Sequence, residues 1–459
     1  MSAEGAIPPR IRDALDSADG YVLVVTGRPG TGKTLFVHEV FRQFKDSLLI
    51  LSNAEATAAA EEELSSLPRW SERHAVAHYW RTMDDSEIHE ANLHEQLSRL
   101  LGGASLKEDH SVAIIDSWSD FIMPIRSEMQ YEIQQSLIFA ARKEGKNLVL
   151  VTEGDWEESY QRPLYHSADA IVRLRKLRKD QRLYRQLTIE KMRTLPIEQD
   201  SFLFTLNKGR FTYIPWYVHQ FPPITVERES IKDPSNSRIS SGNRSLDMIL
   251  GGGFEKGKLS LIEVENLAAP YLETIYIPFL SNQLQLGRPA VILLPEGWSP
   301  DQFMQGLSHF IDPKLIQQQV VFFGRHALGA RNVRTIDDDP WKTLQEIRYE
   351  GTQLEREFDT QVTELFALDT LENKYGITDL KGMMAEITAS LPATSRATVT
   401  ILSQEQGLKS GSLAHSVHLR VQELSGVLSV CGVNPKTNYL AVRPLLSKGF
   451  LDYDLVPIV

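Results

Sequence analysis

At 459 residues, with 42% hydrophobic and 24% charged side chains, the chain has the make-up of a globular protein of about two domains, not of a disordered or membrane-spanning one. The formal net charge of −11 argues against a general nucleic-acid coat, no apolar run reaches the ~18–20 residues that span a bilayer, and the N-terminus lacks a signal-peptide core. The single cysteine, Cys431, excludes an intramolecular disulfide and a multi-cysteine metal site, so the expected setting is cytoplasmic.

In chain order, Ile7 to Leu15 reads as a short helix that leads into the apolar run Tyr21-Val22-Leu23-Val24-Val25-Thr26, a buried parallel strand. Gly27-Arg28-Pro29-Gly30-Thr31-Gly32-Lys33-Thr34 follows and satisfies G-x-x-x-x-G-K-[ST], and Leu35 to Phe41 then shows helical spacing. Strand, glycine loop and helix start are the geometry that wraps a triphosphate. The three glycines let backbone N–H groups converge on an anion, and the helix N-terminus adds partial positive charge. Lys33 is expected to reach the β- and γ-phosphates of ATP, and the Thr34 hydroxyl to ligate Mg²⁺.

Leu48 to Leu51 is a second short strand, running into Ser52-Asn53-Ala54-Glu55 and an Ala/Glu-rich helix. A strand is expected within His74–Tyr79, and a helix over Glu90–Leu101, closed by Gly102-Gly103. Val112-Ala113-Ile114-Ile115-Asp116 is an apolar strand ending in a carboxylate, the Walker B pattern in which the Asp holds the Mg²⁺ shell. A helix over Gln130–Glu144 and the strand Asn147–Thr152 come next. This alternation predicts an open, mostly parallel sheet with helices on both faces. Thr152 or Glu153 then stands near the phosphates, either sensing the γ-phosphate or capping the strand.

From Ala168 the texture changes to short strands at Ala170–Leu174, Tyr184–Met192, Phe202–Leu206 and Phe211–Ile214. Arg173, Arg175, Lys176, Arg178, Lys179, Arg182 and Arg185 lie among them. Their alternation predicts a hairpin with a solvated charged face, favoured over a nucleic-acid site because no aromatic stacking platform is interleaved.

The P-loop, Ile115-Asp116-Ser117-Trp118, Leu148 to Gly154, Ser167 to Val172, Ile189-Glu190-Lys191-Met192-Arg193 and Phe202 to Leu206 occur in a familiar order. Over residues 7–216 the chain resembles the RecA-like ATPases of the KaiC type, and among them the archaeal GvpD-like regulators of gas vesicles. The resemblance implies tandem three-layer α/β/α domains with mostly parallel central sheets and C-terminal β-hairpins. It implies ATP with Mg²⁺, self-association, and a Lys-x-Arg pair that reaches a neighbouring subunit's nucleotide, which maps onto Lys191 and Arg193. One departure bears on catalysis. The family's catalytic glutamate ends the strand after the P-loop helix, where this chain has Asn53 and Ala54, with Glu55 one step further on. A carboxylate must lie within hydrogen-bond reach of the attacking water, so turnover is expected to be slow, or absent without a partner.

Residues 1–222 are thus read as the ATPase domain, 223–237 as a linker carrying Pro234, and 238–459 as a second copy. Gly242-Asn243-Arg244-Ser245-Leu246-Asp247-Met248-Ile249-Leu250-Gly251-Gly252-Gly253 resembles the entry to a KaiC-type domain. The loop after the strand Leu259–Val264, Glu265-Asn266-Leu267-Ala268-Ala269-Pro270-Tyr271-Leu272, has no glycine, lysine or metal-binding hydroxyl where a P-loop needs them. Asp369 is its Walker B relic, and Glu296 stands at the family's glutamate position. The leading reading is a nucleotide-switched regulatory ATPase with a protein partner. The alternatives are a DNA recombination or repair accessory ATPase and an inactive ATP-binding scaffold.

Overall fold

The computed structural model describes every residue except 1–5, 18, 53, 69, 71–73, 77–110, 124, 155–161, 194, 219–229, 326–331 and 446–452. The chain forms two compact units, Met1–Pro215 with Ile458–Val459, and Trp216–Pro457. The division falls at Pro215 and Trp216, earlier than a linker at 223–237 implies. Tyr217 donates its N–H to the Gly426 carbonyl, and Asp233 takes ion pairs from Lys256 and Arg288, which ties the linker's described residues to the second unit.

The first unit is built on strands β1 (Val22–Thr26), β2 (Ser47–Leu51), β3 (His74–Val76), β4 (Val112–Asp116), β5 (Asn147–Val151), β6 (Ala170–Lys179), β7 (Arg182–Met192), β8 (Ser201–Thr205) and β9 (Thr212–Ile214). They form one sheet in the order β3-β2-β4-β5-β1-β6-β7-β8-β9. The members from β3 to β6 in that order are parallel, and β6 to β9 are antiparallel. Strands buried on both faces carry apolar residues at every position, and β1, β2, β4 and β5 do so over most of their length. Helices α1 (Pro9–Ser17), α2 (Lys33–Gln43), α3 (Ala54–Leu64), α4 (Trp118–Ile122), α5 (Ser127–Lys143) and α6 (Arg162–Ser167) cover it.

The two faces sort by residue parity on β1. Leu23 and Val25 pack with Phe36, Val37, Val40 and Phe41 of α2. Val22 and Val24 pack with Ile133, Leu137 and Ile138 of α5. This is the three-layer arrangement, and it sets the glycine loop at the carboxyl end of the central strand.

The strand expected within His74–Tyr79 is present over His74–Val76, and residues 77–79, like the helix expected over Glu90–Leu101, lie outside the described residues. The hairpin is longer than its apolar residues suggest, because β6 and β7 pair all the way from Ala170–Met192 to Lys179–Arg182. It turns at Asp180 and Gln181, both with positive φ, 49° and 61°, the pattern of a two-residue type I′ connection. Its basic residues are not one solvated face. Arg173 is only 2% exposed, because the first half of β6 runs beside β1 inside the sheet, and its guanidinium is neutralised by Glu190.

The second unit carries β10 (Arg238–Ile239), β11 (Phe254–Glu255), β12 (Leu259–Val264), β13 (Ala290–Leu293), β14 (Val320–Gly324), β15 (Val333–Thr335), β16 (Thr363–Ala367), β17 (Ala397–Ser403), β18 (Val417–Leu424), β19 (Val427–Asn434), β20 (Tyr439–Pro444) and β21 (Tyr453–Pro457). Its main sheet runs β15-β14-β13-β16-β17-β12-β18-β19-β20-β21. From β14 onward this repeats the order of the first sheet strand for strand, with β12 in the place of β1 and β16 in the place of β4. The parallel and antiparallel portions also match. The edge strand β15 is an addition. After β12 comes helix α7 (Ala269–Gln285), with Pro270 in its first turn, where a missing N–H costs nothing.

Candidate nucleotide-binding site

The glycine loop leaves β1 at Thr26 and enters α2 at Lys33, with Gly32 as N-cap in a left-handed conformation, φ 106°. At Gly27 a Cβ would stand 2.4 Å from the Leu174 carbonyl oxygen, so only glycine lets the loop pass under β6. The hairpin fixes the loop from the other side. Arg185 donates to the carbonyl oxygens of Gly30 (3.2 Å) and Thr31 (3.1 Å). Thr31 also donates its hydroxyl to the Arg28 carbonyl, 2.9 Å away, which ties the two ends of the Arg28-Pro29-Gly30-Thr31 turn.

Lys33 is 6% exposed. Its ammonium donates to the carbonyl oxygens of Gly27 (2.8 Å) and Arg28 (3.3 Å) and lies 3.7 Å from the Glu153 carboxylate. Burial draws its pKa below the ordinary lysine value, against the opposing pull of Glu153 and Asp116. Asp116, at the end of β4, is 5% exposed. Burial pushes its carboxyl above the usual range, while a hydrogen bond with Thr34 and the nearby His38 and Lys33 work the other way. The two residues expected to meet Mg²⁺ are thus neighbours. A buried carboxylate beside a hydroxyl, with a buried ammonium close by, is a donor set suited to an oxygen-seeking divalent cation and a phosphate chain.

These groups open onto a cavity of about 400 Å³ lined by Gly30, Gly32, Lys33 and Thr34 from the loop and by Asp116, Asp120, Ser52, Glu153 and Leu206 around it. Of the pair Thr152 and Glu153, Glu153 lines the cavity while Thr152 is fully buried, its N–H donated to the Val25 carbonyl. Glu153 is held by a hydrogen bond from its own N–H to the Ser119 hydroxyl, 2.8 Å. Glu55 falls in the first turn of α3; its side chain and Asn53 lie outside the described residues.

Lys191 and Arg193 are not brought to the loop of their own chain. They lie near the amino end of β1, where Ile171 pairs with both Lys191 and Val24. There Lys191 donates to the carbonyls of Tyr165 (2.8 Å) and His166 (3.0 Å), and Arg193 to that of His166 (3.3 Å). Both close the C-terminal end of α6.

Sequence reasoning passed over Asp120. Ser117 caps α4 by accepting the Asp120 N–H at 3.3 Å, and the spacing Ser117-x-x-Asp120 directly after a Walker B strand was the available signal. Asp120 in turn accepts the Ser52 hydroxyl, 2.8 Å.

The second unit's loop has the opposite character. Glu265 donates its N–H to the Val421 carbonyl, and its carboxylate accepts the Glu423 N–H at 2.6 Å. The Ala268 N–H goes to the Asn266 side chain at 2.9 Å, and Tyr271, 8% exposed, packs into the apolar core. Two of the loop's backbone donors, at Glu265 and Ala268, are thus spent within the unit.

Residues 17–215 match the family model "ATPase: KaiC". The first unit is similar to that family over this stretch. Two proteins of Halobacterium salinarum are similar over more of the chain. Protein GvpD2 is 26% identical over 350 residues, 71% of this chain and 68% of that protein. Protein GvpD1 is 24% identical over 325 residues, 67% of this chain and 60% of that protein. These stretches are longer than the first unit, so the likeness to the two proteins reaches into the second.

Proposed function

We propose that the chain is an ATP-binding, slowly hydrolysing regulatory ATPase of the cytoplasm. Its first unit holds one Mg-ATP, and its second is a KaiC-like copy that kept the fold and lost the site. The observation that carries this reading is the buried Lys33 ammonium inside a glycine loop that opens on the cavity shared with Asp116. Gly27 to Thr34 would wrap the phosphates, Lys33 would exchange its carbonyl partners and Glu153 for the β- and γ-oxygens, and Thr34 with Asp116 would hold Mg²⁺. The metal, when bound, neutralises charge on the transferring phosphoryl group.

Output follows from differential affinity. A protein partner, or a second copy of the chain, that prefers the nucleotide-bound arrangement sees a population shift when ATP binds. Arg185 supplies a mechanical link, since it joins the loop's carbonyls to the exposed basic hairpin. A DNA accessory role is less supported, because Arg173 and Arg185 are engaged within the unit.

The test is calorimetric titration of Mg-ATP into the full chain and into Lys33→Ala, with phosphate release followed in parallel. Micromolar binding lost in the variant is the expected result. Equal affinity of the two proteins would overturn the site.

A further inference from the structure

We infer that Asp120, held by Ser52, is the carboxylate that takes the proton of the attacking water when ATP is hydrolysed in this cavity. The inference rests on the ATPase reading and adds the group that performs its chemical step.

Among the described residues three carboxylates line the cavity: Asp116, Glu153 and Asp120. Asp116 is buried at the end of β4 and lines the cavity together with Thr34, which suits it to the cation. Glu153 is 3.7 Å from the Lys33 ammonium and serves as that lysine's counter-charge. Asp120 has neither engagement. Its contact is the Ser52 hydroxyl, donated at 2.8 Å to one carboxylate oxygen, which orients the group without neutralising it.

The sheet register explains how it comes to the phosphates. Leu51 pairs with Asp116, and the Ser52 N–H donates to the Asp116 carbonyl, so Ser52 is locked at the carboxyl end of β2 beside the metal-binding carboxylate. Asp120 reaches it from α4, one turn after the same Asp116. A carboxylate is thus delivered to the end of β2 from the neighbouring strand's helix.

In the step itself, the water oxygen bonds to the γ-phosphorus as the bond from that phosphorus to the β-γ bridging oxygen breaks. The electron pair leaves with ADP, and the water's proton passes to the free oxygen of Asp120. Because Asp120 is exposed, it returns that proton to solvent for the next cycle. Ser52 is a positioning residue: it fixes which oxygen faces the water.

The experiment compares the full-length parent with Asp120→Asn, Ser52→Ala and Ser52→Thr. It measures phosphate release, affinity for a fluorescent ATP analogue with Mg²⁺, and affinity for ADP with beryllium fluoride and with aluminium fluoride. The beryllium complex mimics bound ATP, whereas the aluminium complex mimics the state in which water is being deprotonated. Asp120→Asn is expected to lower kcat by about 10²-fold or more, the range of a lost general base. It should leave ATP and beryllium-fluoride affinity within a few-fold and lose the aluminium-fluoride complex. Ser52→Ala should lower kcat with KM nearly unchanged, and Ser52→Thr should restore it. An Asp120→Asn protein that turns over like the parent overturns the inference, as does a parent that binds ATP without hydrolysing it. A parent that binds no ATP would instead sink the proposed function itself.

Discussion

Lys33 is where burial and charge act most directly on the same atom. Its ammonium is nearly excluded from water and is satisfied by two backbone carbonyls and a carboxylate at the edge of ion-pair distance. A phosphate chain offers stronger, charge-assisted partners in the same place. Losing those hydrogen bonds costs about 1.5–3 kcal/mol each, so Lys33→Ala should weaken Mg-ATP binding by at least about tenfold per bond, read by fluorescence titration. Asp116→Asn should act differently. It should reduce the magnesium dependence of binding more than binding in EDTA, and an unaltered magnesium dependence would contradict its place in the metal shell. The glycine loop was fully legible in the sequence because its constraints are local: three glycines, a lysine and a hydroxyl within eight positions. The contact between Ser52 and Asp120 was not, because it joins residues 68 apart and exists only once β2 and β4 are neighbours.

At the level of elements, α2 is held to α3 by a charged cluster on its outer side. Glu63 accepts hydrogen bonds from His38 (2.7 Å) and Arg42 (2.6 Å). Glu39, 1% exposed, is paired with Arg42 and with Arg210 beyond β8. Burial alone would raise the Glu63 pKa, but the bonds from His38 and Arg42 hold it below the ordinary value of 4.5. The ionised form is therefore favoured by folding. The contribution is complete above 4.5 and is lost as the pH falls through the lowered folded value. Glu63→Gln should melt lower than the parent near neutral pH, and the gap should narrow as the pH falls below 4.5 and through the lowered folded value. A gap that persists in acid would mean that packing, not the charge, ties α3 down. The order of strands and helices was readable from alternating apolar runs. The fate of the basic hairpin was not, since charge alternation cannot say that Arg173 sits beside β1 and inside the sheet.

For the whole molecule, the two sheets share one order, yet one loop is open to an anion and the other is closed on itself. The repeat was legible from its entry motif and from two carboxylates after apolar runs, Asp116 at the end of β4 and Asp369 two residues beyond β16. The boundary at Pro215 and Trp216 was not, because it depends on long-range contacts such as that of Tyr217 with Gly426. Assembly adds a further test. Lys191 and Arg193 lie away from their own loop, so any contact they make with a nucleotide comes from a second copy. Replacing both with alanine should reduce turnover with ATP affinity nearly unchanged, and mixing that protein with Lys33→Ala should restore part of the activity. Absence of rescue, with mixed oligomers shown to form by light scattering, would leave the pair as caps of α6 alone.

One nucleotide site per chain is the central expectation. The second loop lacks the glycines that allow close approach, has Pro270 and Tyr271 at the critical places, and spends the Ala268 N–H on Asn266. Even millimolar binding needs about 4 kcal/mol, and such a loop offers neither a lysine nor a metal-binding hydroxyl to supply it. The stoichiometry of Mg-ATP on the full-length protein, measured by calorimetry beside Lys33→Ala, is therefore the most direct test. The prediction is one nucleotide per chain for the parent and none for the variant. Two per chain, or one that survives in Lys33→Ala, would contradict it.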